Sequence, residues 1–274
     1  MDGPQPGTPR PKTATAARVW DYILGGMHNF PADQELARLA IQQLPDLPAT
    51  ARANRAVLRR AVRHLTAAGV RQLLDIGSGI PTVGNVHEIA QQDAPDCRVV
   101  YVDNDPVAVA ESLEILEGNP NAIAILGDLC QPADILHHRA LQELLDLGQP
   151  TGLLLASVLH FIPDEQAYQA VSELVDALAP GSYLLVTHAG VEQTQPRSNA
   201  WHTATADYQR QTTARITPRT RTEVERFFTG LDLLVPGIVE LSDWRPDPDE
   251  ADAHTGQPSR TLGWVGLATK PASV

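Results

Sequence analysis

Five short apolar runs, each followed by a helical pattern, constrain this chain more than any other feature. They lie at 72–76, 98–102, 122–126, 152–156 and 183–186. Each is apolar throughout instead of alternating, which is the pattern of a strand buried on both faces. Helices are expected between them at 82–92 (Val83, Val86, Ile89 and Ala90 inward), from Pro106 to Glu117, at 133–147 and at 164–178. Upstream, a helix is expected at 49–68. Val57, Leu58, Ala61, Val62 and Leu65 form its apolar face, and Gly69 ends it. Strand–helix alternation of this kind argues a mostly parallel sheet between two helical layers, a Rossmann-like three-layer αβα sandwich. Right-handed crossovers then bring the C-terminal ends of the strands to one edge, where open α/β sheets bind ligands.

The remainder of the chain is read around that unit. Residues 1–13 carry four prolines and two glycines and are expected to be a disordered tail. Residues 14–70 form a helical cap, and 71–274 the ligand-binding domain. A capping box, Thr220-Arg221-Thr222-Glu223, precedes Val224, Phe227 and Phe228. Segments 231–241 and 261–269 read as two strands, joined by a Pro/Asp-rich loop at 243–260 and free to pair antiparallel. Hydrophobic residues make up 43% of the chain, enough for a sizeable core, and 33 acidic against 21 basic residues give a net charge of −12. That charge repels phosphate backbones and anionic membranes, so neither nucleic acid nor membrane is an expected partner. The only two cysteines, Cys97 and Cys130, cannot supply a disulfide framework or a cysteine-based zinc site. The N-terminus carries no signal pattern, and no apolar run approaches the ~20 residues that cross a bilayer. A cytoplasmic location is expected.

The ligand-bearing edge has a chemical character of its own. Asp75, Asp103, Asp128 and Ser157 each follow an apolar run. The turn Gly77-Ser78-Gly79 follows the first run, and its glycines let the backbone turn tightly against a ligand. A dinucleotide fingerprint would need glycine or alanine at 82, where this chain has Thr82. Carboxylates repel a pyrophosphate but attract S-adenosylmethionine (SAM), which carries a sulfonium and an ammonium and no phosphate. Asp103 is placed to accept both ribose hydroxyls, Asp128 to accept from the adenine amino group, and Asp75 to hold the methionyl ammonium. SAM is therefore the expected cofactor, with S-adenosylhomocysteine (SAH) as product.

The motif series D-x-G-x-G (75–79), V-D-N-D-P (102–106), G-D-L (127–129) and L-x-P-G-S (178–182) resembles that of class I SAM-dependent methyltransferases. More narrowly, the chain resembles the S-adenosyl methyltransferase family, formerly a domain of unknown function. The segments ARVWDYILGGMHNFPAD (17–33), ARANRAVLRRAVRHL (51–65), LLDIGSGIPTVGNVHE (73–88), VVYVDNDPV (99–107), LLASVLHFIPD (154–164) and LAPGSYLLVTH (178–188) carry that resemblance. Trp20 and Met27-His28 depart from the family's usual Tyr and Lys-Asp. The resemblance implies a seven-stranded sheet with an antiparallel last strand. It also implies that Asp75, Gly77 and Gly79 contact the methionyl part, Asp103 and Asn104 the ribose region, and Asp128 with Leu129 the adenine. It does not name the methyl acceptor, which is expected to be a small molecule.

Methyl transfer from a sulfonium needs proximity and alignment, and a base only if the acceptor must lose a proton. The segment Ser157-Val158-Leu159-His160 stands where amino-directed enzymes carry N-P-P-Y, and resembles small-molecule methyltransferases with an L-H pair there. His160 is the candidate base; capping the next helix or orienting the methionyl carboxylate are its alternatives. His188 is a second, weaker candidate. His137 and His138 are read as solvated, and no histidine spacing suggests a metal. The segment 22–33 either folds over the cofactor, making Tyr22, Asn29 and Asp33 further contacts, or is a loop on the helical layer. Arg52 and Arg55 either pair with a ligand carboxylate or belong to a solvated helix face. The acceptor cover is placed in 190–219, which holds Trp201, His202 and Tyr208. A SAM-binding sensor without turnover and a nicotinamide-dependent oxidoreductase are the competing readings.

Overall fold

The computed structural model describes residues 14–81, 84–190, 203, 205–206, 208–209, 216–246 and 261–272. The tail at 1–13, Thr82, Val83, Trp201, His202 and most of the 243–260 loop lie outside them.

The sheet is assembled from β1 (Gln72–Ile76), β2 (Arg98–Asp103), β3 (Ala122–Leu126), β4 (Gly152–Ala156), β5 (Tyr183–Ala189), β6 (Asp232–Leu233), β7 (Val239–Glu240) and β8 (Gly263–Thr269). Its order is β3-β2-β1-β4-β5-β8-β6, with β7 also pairing β8. The first five strands are parallel, and β8 runs antiparallel to β5, β6 and β7. The count is eight and not seven, because the 231–241 segment is not one strand. Gly237 adopts φ +82, and the chain there pairs with β8 as a strand only in two short stretches, 232–233 and 239–240.

Alternation along each strand explains why the runs are apolar throughout. Leu74, Val100, Leu153 and Leu184 enter one core with Ile135, Leu141 and Leu174. Leu73, Val99, Leu154 and Leu185 enter the other with Leu58, Val62 and Ile89. The first face is covered by α6 (Pro132–Leu136), α7 (Arg139–Leu144), α8 (Asp164–Ala177) and α9 (Arg221–Glu225). The second carries α3 (Leu47–Ala67), α4 (Val86–Asp93) and α5 (Pro106–Ile115). Truncating such a residue, as in Leu74→Ala, removes about 2–5 kcal/mol.

Local chemistry sets the helix ends. Asp105 caps α5 by accepting from Val107 N at 2.9 Å. Thr220 caps α9 by accepting from Glu223 N at 3.4 Å, while Glu223 accepts from Thr220 N at 2.7 Å. The α4 helix starts at Val86, four residues later than expected, where the Glu88 side chain reaches back to accept from Asn85 N at 3.2 Å. The expected helix at 133–147 is two helices. His138 leaves helical geometry (ψ 125) and accepts from Ala140 N to start α7, which lets Ile135, Leu136 and Leu141 all reach the core.

Two further helices, α1 (Ala16–Ile23) and α2 (Pro31–Gln43), pack on each other and on α3. A buried ionic node fixes them. Arg18 Nε is 3.0 Å from Asp33 Oδ2, and Arg18 Nη1 is 3.0 Å from Asp105 Oδ2. Thr15 donates from N to Asp33 (3.1 Å) and from Oγ1 to Asp105 (2.7 Å). Because Asp105 follows β2, the node ties these helices to the edge of the sheet at the C-terminal ends of its parallel strands. None of the helices among the described residues is long and apolar enough to cross a membrane.

Candidate functional site

Chain order moves outward from β1 through β2 to β3 and then returns to β4, so the strand order switches between β1 and β4. A crevice opens there, outside the C-terminal ends of the strands. It is a cavity of about 610 Å³, in the size range of cofactor sites. The cavity wall includes Asp75, Gly77, Gly79, Asp103, Asn104 and Asp128, and also Leu129, Ser157 and His160.

The glycine turn is shaped by its neighbours. Gly77 has φ +73, and a Cβ there would lie 2.3 Å from Val158 Cγ2. Two demands therefore exclude any side chain at 77: backbone handedness and the close approach of the loop after β4. Gly79 has φ +64, and a Cβ there would sit 4.0 Å from Ala17 Cβ, so α1 lies directly over the turn. Ser157 adopts φ 59 at the end of β4, an unfavourable region for a side-chain-bearing residue. Its N donates to Thr187 O at 3.0 Å, and its hydroxyl is 3.4 Å from Thr187 Oγ1.

The acids differ in state. Asp103 accepts from Gly79 N at 2.7 Å and from Asp105 N at 2.9 Å, one bond per oxygen. A carboxylate has about four acceptor positions, so each oxygen of Asp103 keeps one for a ligand hydroxyl. Burial raises its pKa, and the backbone donors oppose that. Asp75 is buried, and burial pushes its carboxyl up to about 7 despite the neighbouring Arg55. Asp128 is exposed at the far end and caps its own turn through Cys130 N at 2.9 Å.

Arg55 lies on the cavity wall, while Arg52 faces outward. The Arg55 Nε is buried without a hydrogen-bond partner. Burial lowers the Arg55 pKa, and Asp75 is the largest charge opposing that.

His160 also reaches the cavity, in the 3₁₀ turn Leu159–Phe161 after β4. Its Nδ1 is buried and unpartnered. Burial, with Arg219 nearby, pushes its pKa down to about 3, so the imidazole is neutral. His188 is fully engaged. Arg219 Nη1 donates to its Nε2 at 2.8 Å, so Nδ1 must carry the proton and donate to Ala189 O at 2.7 Å. Sequence reasoning missed Arg219, which holds this end of the site together. It is 1% exposed, donates to the carbonyls of Leu159 and Ile162 (2.8 Å each), and pairs with Asp164 at 2.9 Å. The turn bearing His160 is thus pinned on both sides. An isolated Arg in a Thr-Pro-Arg-Thr stretch carries no pattern that reveals this.

Tyr22, Asn29 and Asp33 do not line the cavity. Tyr22 stacks under Arg38, Asn29 bridges Asp21 (2.8 Å) and Gly26 O (2.9 Å), and Asp33 belongs to the ionic node. They build the cap; Ile23 of the 22–33 segment lines the cavity, together with Thr15, Ala17 and Trp20 before it. Tyr208 is buried in the cavity wall. His137 is exposed and His138 half-buried. Among the described residues, no group of three or more His, Cys, Asp or Glu is placed to hold a metal ion.

Residues 8–271 match the S-adenosyl methyltransferase family. The chain belongs to that family. Two solved structures extend the match over nearly the whole chain. One is a DUF574 family protein from Streptomyces avermitilis, 39% identical, with 95% of this chain and 98% of that chain covered and a TM-score of 0.88. The other is a protein from Thermobifida fusca proposed to be a methyltransferase, 38% identical, with 95% and 96% covered and a TM-score of 0.86. Human N-acetylserotonin methyltransferase, solved in complex with SAM, shares the fold at 14% identity and a TM-score of 0.52, with 94% and 61% covered. A comparison with curated proteins finds no match. Family and fold are therefore those of SAM-dependent methyltransferases, a Rossmann-like sheet with helices on both sides.

Proposed function

We propose that the protein transfers a methyl group from SAM to a small-molecule acceptor. The observation that carries the reading is the run of carboxylates Asp75, Asp103 and Asp128 along one cavity beside a glycine turn that admits no side chain at 77. Asp103, with one open acceptor position on each oxygen, fits a ribose diol. Asp128 and Leu129 fit an adenine edge and face. Asp75 fits the methionyl ammonium, and Arg55, beside it on the cavity wall, fits the methionyl carboxylate. Asn104 borders the ribose position and Ser157 the methionyl chain. Tyr22, Asn29 and Asp33 act indirectly, by holding α1 over the turn.

SAM would supply a methyl already activated on sulfur; in an in-line transfer the S–C electron pair would stay on sulfur, and an acceptor hydroxyl would lose its proton. The protein's part is alignment and exclusion of water under α1. His160 takes up the acceptor's proton or its hydrogen bond. As a neutral imidazole with a low pKa it is a better hydrogen-bond acceptor than a resting base, so it acts as the proton leaves rather than beforehand.

The test is transfer of a labelled methyl from SAM to a panel of small hydroxylated and amino compounds. The reading predicts labelling that His160→Ala reduces by about 10²-fold or more in kcat. SAM binding with no labelled product across the panel would favour a sensor without turnover.

A further inference from the structure

The cavity is divided by polarity, and the division runs along the sheet edge. Its carboxylates all lie at or just beyond the C-terminal ends of β1, β2 and β3. Beyond β4 the wall is of another kind. Leu44 and Leu262 pack together with Leu47, Ala189 and Ile216. Leu47, Phe161 and Ile216 also pack against Ile23 and Tyr208. Two polar groups in this half are engaged within the protein: Thr50 Oγ1 accepts from Leu262 N at 3.2 Å, and Asn54 Oδ1 accepts from Thr187 Oγ1 at 2.6 Å. Arg55 stands beside Asp75, on the charged side. Among the described residues, no Asp, Glu, Lys or Arg borders the apolar half.

One side chain at the junction has a ring nitrogen without a hydrogen bond, His160 with its Nδ1. His160 is 6% exposed, lies on the cavity wall and stacks on Phe161 with ring centroids 4.2 Å apart. Its neighbour His188 spends both ring nitrogens on Ala189 and Arg219. Only His160 of the pair therefore has hydrogen-bonding capacity to offer a ligand.

We propose that this half is the acceptor subsite and that it takes an uncharged, largely apolar ring molecule carrying a hydroxyl, which is presented to His160. A charged acceptor would lose its hydration here, and no charged side chain among the described residues lines this half to compensate it. A flat ring matches walls built from Leu, Ile and aromatic faces, and a hydroxyl gives His160 the partner it lacks. The proposal rests on the SAM reading of the charged half. In turnover, an O–CH₃ bond forms as the S–CH₃ bond breaks, and the hydroxyl proton passes to the His160 imidazole.

Direct binding tests it. Calorimetry first measures SAH, which probes only the charged half. The SAH-loaded protein is then titrated with 2-naphthol, naphthalene-2-sulfonate and 2-naphthylmethylammonium. The neutral naphthol is expected to bind at least tenfold more tightly than either ion. Ile216→Asp should weaken naphthol at least tenfold and leave SAH affinity within twofold. Should that variant lose SAH, and so its fold, Ile216→Ala replaces it with about a threefold weakening expected. Equal or tighter binding of an ion, or unchanged naphthol binding in the Ile216 variants, overturns the proposal. Failure of SAH itself appears in the first titration and overturns the cofactor reading, and with it the acceptor role.

Discussion

At the scale of single residues, the site depends on where each charge is buried. A carboxyl pushed up to about 7, as Asp75 is, is half protonated at neutral pH. A ligand ammonium binds the ionised form, so affinity for SAM should rise as pH increases through 7 and level off above it. Between pH 6 and 8 the Asp75 contribution amounts to at most about tenfold in Kd. Asp75→Asn should bind SAM more weakly and lose this component; the same pH slope in the variant would exclude Asp75 as its source. The acids were readable because an apolar run fixes where a strand ends, and a polar residue just beyond must face the edge. Arg55 was half readable. Its place among five arginines on one helix gave no sign that it alone, with its Nε buried, points to the cavity. Arg219 was not readable, since its partners lie more than thirty residues away in the sequence.

At the scale of elements, the cap has the sharpest consequence. Arg18, Asp33 and Asp105 are buried together, and removing the cation leaves two carboxylates without their partner. Arg18→Met should cost about 3–5 kcal/mol, read as a lower urea midpoint. It should also weaken SAM binding, because α1 covers the glycine turn. Full stability with loosened SAM binding would mean that the node orders only the lid; unchanged values of both would remove it from the account. The parallel strands were legible, since an all-apolar run between helical patterns has few other readings. The 133–147 helix was misread because its apolar spacing fits one helix. What divides it is a histidine side chain competing for a backbone N–H, which periodicity does not record. The 231–241 segment was misread for a related reason. Apolar content predicted a strand, and a glycine at positive φ broke it.

At the scale of the molecule, buried histidines held below their ordinary pKa contribute to the acid limit, His160 and His188 among them. The His160 and His188 pKa values both lie below the unfolded value near 6.5, chiefly through burial. As pH falls below 6.5 the unfolded chain gains protons that the folded protein refuses, so stability is lost from there down to the folded values. For His160, with a folded pKa of about 3, the loss at pH 5 is about 2 kcal/mol. His160→Gln should therefore lose less stability between pH 7 and 5 than the wild type, read by urea unfolding at both pH values. An equal loss would show that the imidazole is not held neutral. Sheet order, the antiparallel β8 and the acid-lined edge all serve one arrangement, in which charge is concentrated beyond β1–β3 and removed beyond β4. The central claim is that the charged half binds SAM. Calorimetric titration of SAM into the wild type and Asp103→Ala, with NADH as competitor, tests it most directly. The account predicts saturable one-to-one binding, at least tenfold weaker in the variant and unaffected by NADH. Equal affinity in the variant, or displacement by NADH, would contradict it.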